Sequence, residues 1–147
     1  MLQEFMKIIE IKTTDVIYKI NNNYDASKDM TDGYKLTISP QLLQREDDKT
    51  KGLIIINTQI FDENYEEENV PFYLKITTIG EFDSENTGKP FVEFGAQALN
   101  ITLPYVRSFI TTLTSASGGE SVTLPLISIE ELLQSMSKNK GFESDEN

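Results

Sequence analysis

Hydrophobic and polar residues alternate over much of the segment from Phe5 to Phe82, and this period of two is typical of strands with one buried face. The stretch from Phe5 to Ile20 is rich in Ile, Val, Tyr and Thr, and it predicts a first, half-buried strand. A turn-rich stretch of Asn, Asp and Ser follows. A second strand then runs from Tyr34 to Ser39, where Pro40 limits its pairing and favours an edge position.

Two longer strands are predicted next. Leu53 to Phe61 is strongly β-branched, which favours a central position in the sheet. Val70 to Phe82 alternates, with Phe72, Leu74 and Ile76 on one face. The two strands form a predicted antiparallel hairpin. We interpret the acidic run Asp62 to Glu68 between them as a solvated loop, because it lacks the glycine and the ligand spacing of a calcium loop.

After a polar, turn-prone stretch at residues 83–88, the hydrophobic period lengthens to three or four residues. The positions that share this helical stripe are Leu99, Leu103, Val106, Ile110 and Leu113. The stripe fits one long amphipathic helix or a pair of helices. Because proline suits the first turn of a helix, Pro104 predicts that the main helix begins near Leu103, with the turn before it as a separate helical segment in the second case. Gly118-Gly119 predicts its end.

A second, shorter helix is predicted to begin at Ser128, which stands three residues before Glu131 as in a capping box, and to run to about Lys138. Its apolar side consists of Ile129, Leu132, Leu133 and Met136. Residues 141–147 are acidic and form a predicted flexible tail behind a single domain of residues 1–140. The order of elements predicts an α+β fold, with a four-stranded antiparallel sheet packed with a long helix and a shorter C-terminal helix.

Composition narrows the class of protein. The 147 residues are 38% hydrophobic and 25% charged, as expected of one folded domain. The net charge of -11, without a Lys/Arg cluster, argues against nucleic-acid binding. The absence of Cys fits a reducing compartment. Glu4 and Lys7 interrupt the apolar N-terminus, so no signal peptide is expected, and no apolar run approaches the length of a membrane span. We therefore expect a soluble, cytoplasmic protein.

Catalytic equipment is sparse in the sequence. Without His, the commonest general base and metal ligand is missing, and no imidazole could activate Ser115 or Ser117 as a nucleophile. The paired glutamates at 66–67 and 130–131 are explained by solvation and by helix capping. Gly118-Gly119 is too short to cradle a phosphate. The prediction is a protein that is not an enzyme, needs no cofactor or metal, and works by binding other polypeptides.

The segment NITLPYVRSFI resembles the helix start of the SecB family of protein-export chaperones. The matching positions are Asn100, Ile101, Pro104, Tyr105, Arg107 and Ile110, with Gly95-Ala96 upstream. The family's pattern for its first strand is matched by Ile11, Thr13, Asp15, Val16 and Tyr18. Its pattern for the fourth strand is matched by Phe72, Ile76, Gly80 and Phe82. The order of strands and helices is also similar, so the resemblance covers nearly the whole chain.

This resemblance implies an ATP-independent holdase for unfolded preproteins or other non-native clients, taking part in protein transport and translocation. It also implies a homotetramer, a dimer of dimers with the long helices between the sheets. Four positions match client-binding positions of the family: Phe72, Ile76, Tyr105 and Leu133. Ordinary core or subunit packing is the alternative for each of them.

Delivery of clients to SecA is less well supported, because the family docks SecA on an acidic sheet surface. Asp15 is retained, but Lys19 and Lys75 stand where glutamates are usual, and these two charge reversals weaken such docking. The alternative function is therefore a dedicated adaptor, or an antitoxin-type chaperone, for one specific partner protein. The sequence leaves both functions open.

Overall fold

The computed structural model describes residues 4–29, 33–125 and 127–138. Within them the chain forms four strands and two α-helices in the expected order. They are β1 (Lys7–Ile20), β2 (Leu36–Gln44), β3 (Lys51–Ile60), β4 (Phe72–Asp83), α1 (Gly95–Ala116) and α2 (Ile129–Lys138). The predicted α+β class is confirmed. The expected tail at residues 141–147 lies outside the described residues, so the domain limits stay a prediction.

The sheet has the order β1-β4-β3-β2, and all neighbouring strands are antiparallel. The predicted β3–β4 hairpin is confirmed, β3 is an interior strand, and β2 lies at an edge. However, β2 does not stop before Pro40: the proline pairs in register with Ile56, and the strand continues to Gln44. An edge strand needs no N–H donor on its outer side, so Pro40 interrupts nothing there.

Helix α1 covers one face of the sheet. Its fully buried residues include Leu99, Thr102, Val106 and Ile110, which pack over buried side chains of β3 and β4. A Cβ atom at Gly80 would lie 2.8 Å from the Thr102 hydroxyl oxygen, so the absence of a side chain there lets the helix approach β4 closely. The opposite face carries no helix among the described residues, and we call it the open face.

The predicted start of the main helix was wrong. The helix begins at Gly95, directly after a 3-10 turn at Phe91–Phe94, and Pro104 lies inside it. Proline removes the hydrogen bond to the carbonyl of Asn100, four residues earlier. Both residues are exposed, so water can satisfy that carbonyl, while the burial of Ala98 and Leu99 on the sheet favours the helical turns before the proline.

The C-terminal end of α1 and the position of α2 agree with the prediction. Gly118 has φ +87°, a left-handed conformation that ends a helix readily because glycine has no side chain. The Ser128 hydroxyl accepts the backbone N–H of Glu131 at 3.2 Å, as a capping residue does. Leu132 and Met136 are buried, and α2 packs on β2 and α1.

Strand β1 is irregular and exposed on both faces. Two register shifts leave Ile9 and Thr14 as extra, bulged residues opposite β4. Val16, Tyr18 and Ile20 share the helix side, but Val16 and Ile20 are exposed. The expected half-burial is therefore incomplete, because β1 is an edge strand that α1 covers little.

At the end of the sheet where β2 and β4 finish, a carboxylate makes two polar contacts and two aromatic rings pack beside it. Asp83 accepts the backbone N–H of Glu85 at 2.9 Å and the ammonium of Lys51 at 2.9 Å, and these two contacts lower the pKa of the Asp83 carboxyl. Beside it, the fully buried rings of Phe82 and Phe91 stack with their centroids 6.1 Å apart.

Candidate functional site

Four aromatic rings meet at the other end of the sheet, where β1 and β3 finish and β2 and β4 begin. Phe72 is central: its ring centroid lies 6.0 Å from that of Tyr18, 5.6 Å from Tyr34 and 5.5 Å from Phe61. Tyr34 and Phe61 also touch, at 6.0 Å. All four contacts are edge-to-face, the geometry that the ring quadrupoles favour. We call Tyr18, Tyr34, Phe61 and Phe72 the aromatic cluster.

The backbone of Phe61 is bent to place its ring in this cluster. The residue follows β3 directly with φ +60°, a left-handed conformation that costs about 1–3 kcal/mol for a bulky L-residue. Its N–H donates to the carbonyl of Lys35 at 2.9 Å, and its own carbonyl accepts the side-chain amide of Gln59 at 3.0 Å. These bonds hold the ring on the helix side, whereas continued alternation would turn it to the open face.

A groove of about 370 Å³ opens above the aromatic cluster. Besides the rings, residues from the loop after β1 and from the segment after α1 line it. On its rim, the Tyr24 hydroxyl donates to the carboxylate of Asp29 at 2.6 Å, and Glu120 lies on the α1 side. Among the described residues no Lys or Arg lines this groove. It therefore combines an aromatic floor with a rim that carries two carboxylates.

Tyr24 on the rim and Tyr34 in the aromatic cluster are both neutral at physiological pH. Burial raises the pKa of Tyr34 above its ordinary value, and the charge of Glu120 adds to the effect. The hydrogen bond to Asp29 raises the pKa of Tyr24. Tyrosine ionises near pH 10 even when unperturbed, so neither hydroxyl acts as a base here.

The segment of residues 117–125, which we call the strap, forms one wall of the groove through Gly119 and Glu120. It connects α1 towards α2. Val122 and Leu124 anchor it in the core, where both side chains are buried. The strap is thus a packed part of the domain, although it contains no helix or strand.

The structure separates the four predicted client-binding residues. Phe72 lies in the groove floor, 6% exposed. Ile76 is fully buried between the sheet and α1, so it has no surface to offer a client in this structure. Tyr105 is 53% exposed on α1, and Leu133 is half-buried on α2. Only Phe72 contributes to the groove.

Sequence reasoning missed the other groove residues. Tyr18 and Tyr34 are visible as strand residues, and Phe61 as the last residue of a β-branched run. Each aromatic residue stands at a predicted strand end, and this is the signal that could have found the cluster, because antiparallel neighbours bring alternate strand ends together. Glu120 carried no such signal, since it lies outside helices and strands.

The predicted docking residues do share a surface. Asp15, Lys19 and Lys75 are all exposed on the open face, where Lys19 pairs opposite Tyr73 and Lys75 opposite Ile17. The open face therefore carries opposite charges at neighbouring positions, in place of a uniformly acidic surface.

Strand β1 presents a further apolar surface. Its exposed hydrophobic side chains are Ile8, Ile9, Val16, Ile17 and Ile20. As the first strand of the sheet, β1 pairs with β4 on one side, and no other strand among the described residues lies along its outer edge. An apolar edge strand of this length is a surface on which another chain can pair.

Other chemistry has little support in the described residues. They include no group of three or more acidic side chains placed to hold a metal ion. In the same residues, no helix combines the length and the apolar character needed to cross a membrane.

No protein-family model and no curated protein sequence matches the chain. Among solved structures, the fold is similar to that of a SecB-like chaperone from Mycobacterium tuberculosis, solved in complex with a peptide from an antitoxin. That likeness has a TM-score of 0.63 at 15% identity and covers 84% of this chain and 91% of the other. A Streptococcus agalactiae protein of unknown function shows 17% identity over 83% of this chain and 99% of its own, with a TM-score of 0.40. The fold of this chain is SecB-like.

Proposed function

We propose that this protein is an ATP-independent chaperone that holds non-native polypeptides, with the aromatic groove as its main contact site. The observation that carries the proposal is the aromatic cluster, which lines an open groove at the end of the sheet. The SecB-like fold supports it, since the similar chaperone was solved with a bound peptide. The exposed apolar residues of β1 add a second surface on which an extended chain can lie.

Binding of a client at the groove relies on the burial of its apolar side chains against the aromatic cluster. An apolar client side chain enters it and is desolvated against the rings, which supply large contact area at low conformational cost. Tyr34 is the best placed ring to meet it, because it is 45% exposed while it touches both Phe61 and Phe72. The net charge of -11 limits self-association of a protein with exposed apolar surface. Tyr105 and Leu133 are further proposed contacts outside the groove.

Aggregation of a chemically unfolded protein, followed by light scattering, tests this proposal with the Tyr34→Ala variant. Loss of a central aromatic anchor typically costs about 2 kcal/mol or more, so the affinity should fall by at least about thirtyfold. Phe5→Ala is the matched control, because Phe5 is 56% exposed at the opposite end of the sheet. Equal protection by the wild type and Tyr34→Ala would refute the groove as the site, and no protection by the wild type would refute the chaperone.

A dedicated chaperone or adaptor for one partner is the second candidate. The observation that favours it is the antitoxin peptide bound to the SecB-like protein of similar fold. Affinity capture from the native host followed by mass spectrometry separates the two candidates. A broad set of non-native chains supports the general holdase, whereas one stoichiometric partner supports the dedicated protein.

Assembly and export belong to the same proposal. The outer edge of β1, the end strand of the described sheet, and the exposed side of α1 at Tyr105 support a homotetramer, a dimer of dimers, which sedimentation equilibrium tests against a monomer. A role in protein transport and translocation from the cytoplasm would use SecA as partner. Lys19 and Lys75 on the open face argue against that docking, so reversing both to Glu should strengthen SecA binding if the open face is the contact.

A further inference from the structure

The strap reaches the groove closely enough to set its width. A Cβ atom at Gly119 would lie 3.1 Å from the Tyr18 hydroxyl and 3.5 Å from the Ile20 side chain. Glu120, the next residue, lines the groove and acts electrostatically on Tyr34. Any movement of residues 119–120 away from β1 therefore widens the groove and removes one of its two carboxylates.

Beyond Gly118, side-chain groups and not backbone pairing hold the strap in place. In the described part of the chain, residues 119–125 make no backbone–backbone hydrogen bond. Most of their polar links run to α1 instead, and two of these are at Val122: its N–H donates to the Thr114 hydroxyl oxygen at 2.9 Å, and its carbonyl accepts the Thr111 hydroxyl at 3.0 Å. One strap residue, Val122, thus has both of its backbone groups bound by threonines of the last turns of α1.

Thr114 is the stronger of the two links. Its side chain is fully buried, and its hydroxyl donates to the Ile110 carbonyl at 2.8 Å. This donation fixes the hydroxyl hydrogen and leaves a lone pair free for the Val122 N–H. Because no water reaches the site, loss of this acceptor would leave a buried N–H without a partner.

We propose that Thr114 is a positioning residue for the polypeptide-binding groove: by holding Val122, it fixes the strap wall formed by Gly119 and Glu120 against the aromatic cluster. This inference rests on the proposed chaperone function. Thr114 touches no client and acts through the strap. The affinity of the groove for a polypeptide then depends on Thr114, a buried residue of α1 that lies three residues before the strap.

The test compares Thr114→Val, which keeps the shape but removes both hydrogen bonds, with Thr114→Ser, which keeps both. The probe is fluorescently labelled, reduced and carboxymethylated α-lactalbumin, a permanently unfolded chain, and the readouts are its Kd and hydrogen exchange at the Val122 amide. Thr114→Val should raise the Kd about tenfold and speed that exchange by at least as much, since the buried Val122 N–H loses its acceptor. Thr114→Ser should restore both values, and the exposed control Thr112→Val should change neither.

The outcomes separate this inference from the proposed function. If the wild type does not bind the probe, the chaperone proposal falls and this inference falls with it. If the wild type binds and Thr114→Val speeds exchange at Val122 without raising the Kd, only the positioning role is overturned. Should Thr114→Val fail to fold, Thr111→Val removes the other threonine bond to Val122. An unchanged Kd for this variant, with faster exchange, overturns the positioning role equally.

Discussion

Gly52 in β3 leaves room for the ring of Phe91, and filling that room should destabilise the domain strongly. A Cβ atom at Gly52 would lie 2.0 Å from Cδ2 and 2.4 Å from Cγ of Phe91. Carbon atoms in contact normally lie about 3.5 Å apart, so the ring would have to move by about 1.5 Å.

The surroundings of Phe91 leave little space for such a shift. The ring is fully buried and stacks on Phe82, and the Phe91 N–H is bound to the carbonyl of Lys49 at 2.8 Å. Overpacking of this kind costs about 3 kcal/mol at the upper end of its usual range. The lower backbone entropy of Ala in the unfolded chain offsets at most about 1 kcal/mol. Gly52→Ala should therefore lower the free energy of unfolding by about 2 kcal/mol, a large part of the stability of a typical domain.

Urea denaturation followed by circular dichroism measures this change, and a double-mutant cycle isolates its cause. Phe91→Ala alone leaves a cavity and costs about 3–5 kcal/mol. In that background only the entropy term remains, so Gly52→Ala should stabilise by up to about 1 kcal/mol, which gives a coupling of about 3 kcal/mol. A Gly52→Ala protein within about 0.5 kcal/mol of the wild type would refute the reasoning, as would equal costs in both backgrounds.

Three further replacements test separate contacts. Asn21→Leu removes the buried amide that donates to the Val70 carbonyl at 3.0 Å, so we expect a loss of about 1–3 kcal/mol in urea denaturation, and an unchanged midpoint would show that this bond contributes nothing. Ser128→Ala removes the cap on Glu131 and should cost about 0.5–2 kcal/mol, with faster amide exchange confined to α2. Asp83 has a lowered folded-state pKa, so its stabilisation is present above the unfolded value of about 3.9 and disappears as pH falls through the folded value. The stability difference between wild type and Asp83→Asn should therefore shrink from pH 7 towards pH 2, and a constant difference would contradict the assignment.

Local patterns were sufficient to predict most of the elements. The β-branched run in β3, the alternation in β4 and the Ser128 cap each depend only on residues close together in sequence. All three predictions were confirmed. The local pattern at Pro104, in contrast, gave a wrong prediction of the helix start. Proline does favour the first turn of a helix, but here the contacts between the preceding turns and the sheet outweighed that preference, so the helix begins at Gly95. That packing depends on strand order, which no single window of sequence contains.

The groove was less accessible to prediction for a similar reason. Phe72 was identified, but its ring partners come from three other strand ends, up to 54 residues away at Tyr18. The positive φ of Phe61 even reverses the side that alternation assigns to it. The hydroxyl links from Thr111 and Thr114 to the strap join helix to loop, and a threonine in a helix carries no mark that distinguishes this use from simple helix-surface exposure.

The two bulges of β1 determine where this chain can change its length. Thr13 and Asp15 face opposite sides of the sheet, as consecutive residues of a regular strand do, and Thr14 is the extra residue between them. Deleting Thr14, or likewise Ile9, would leave every other β1 side chain on its present side. Deleting any other residue inside the strand would turn part of it over. Insertions and deletions among descendants of this sequence should therefore accumulate at these two positions, and alignments that place gaps elsewhere in β1 would misassign its faces.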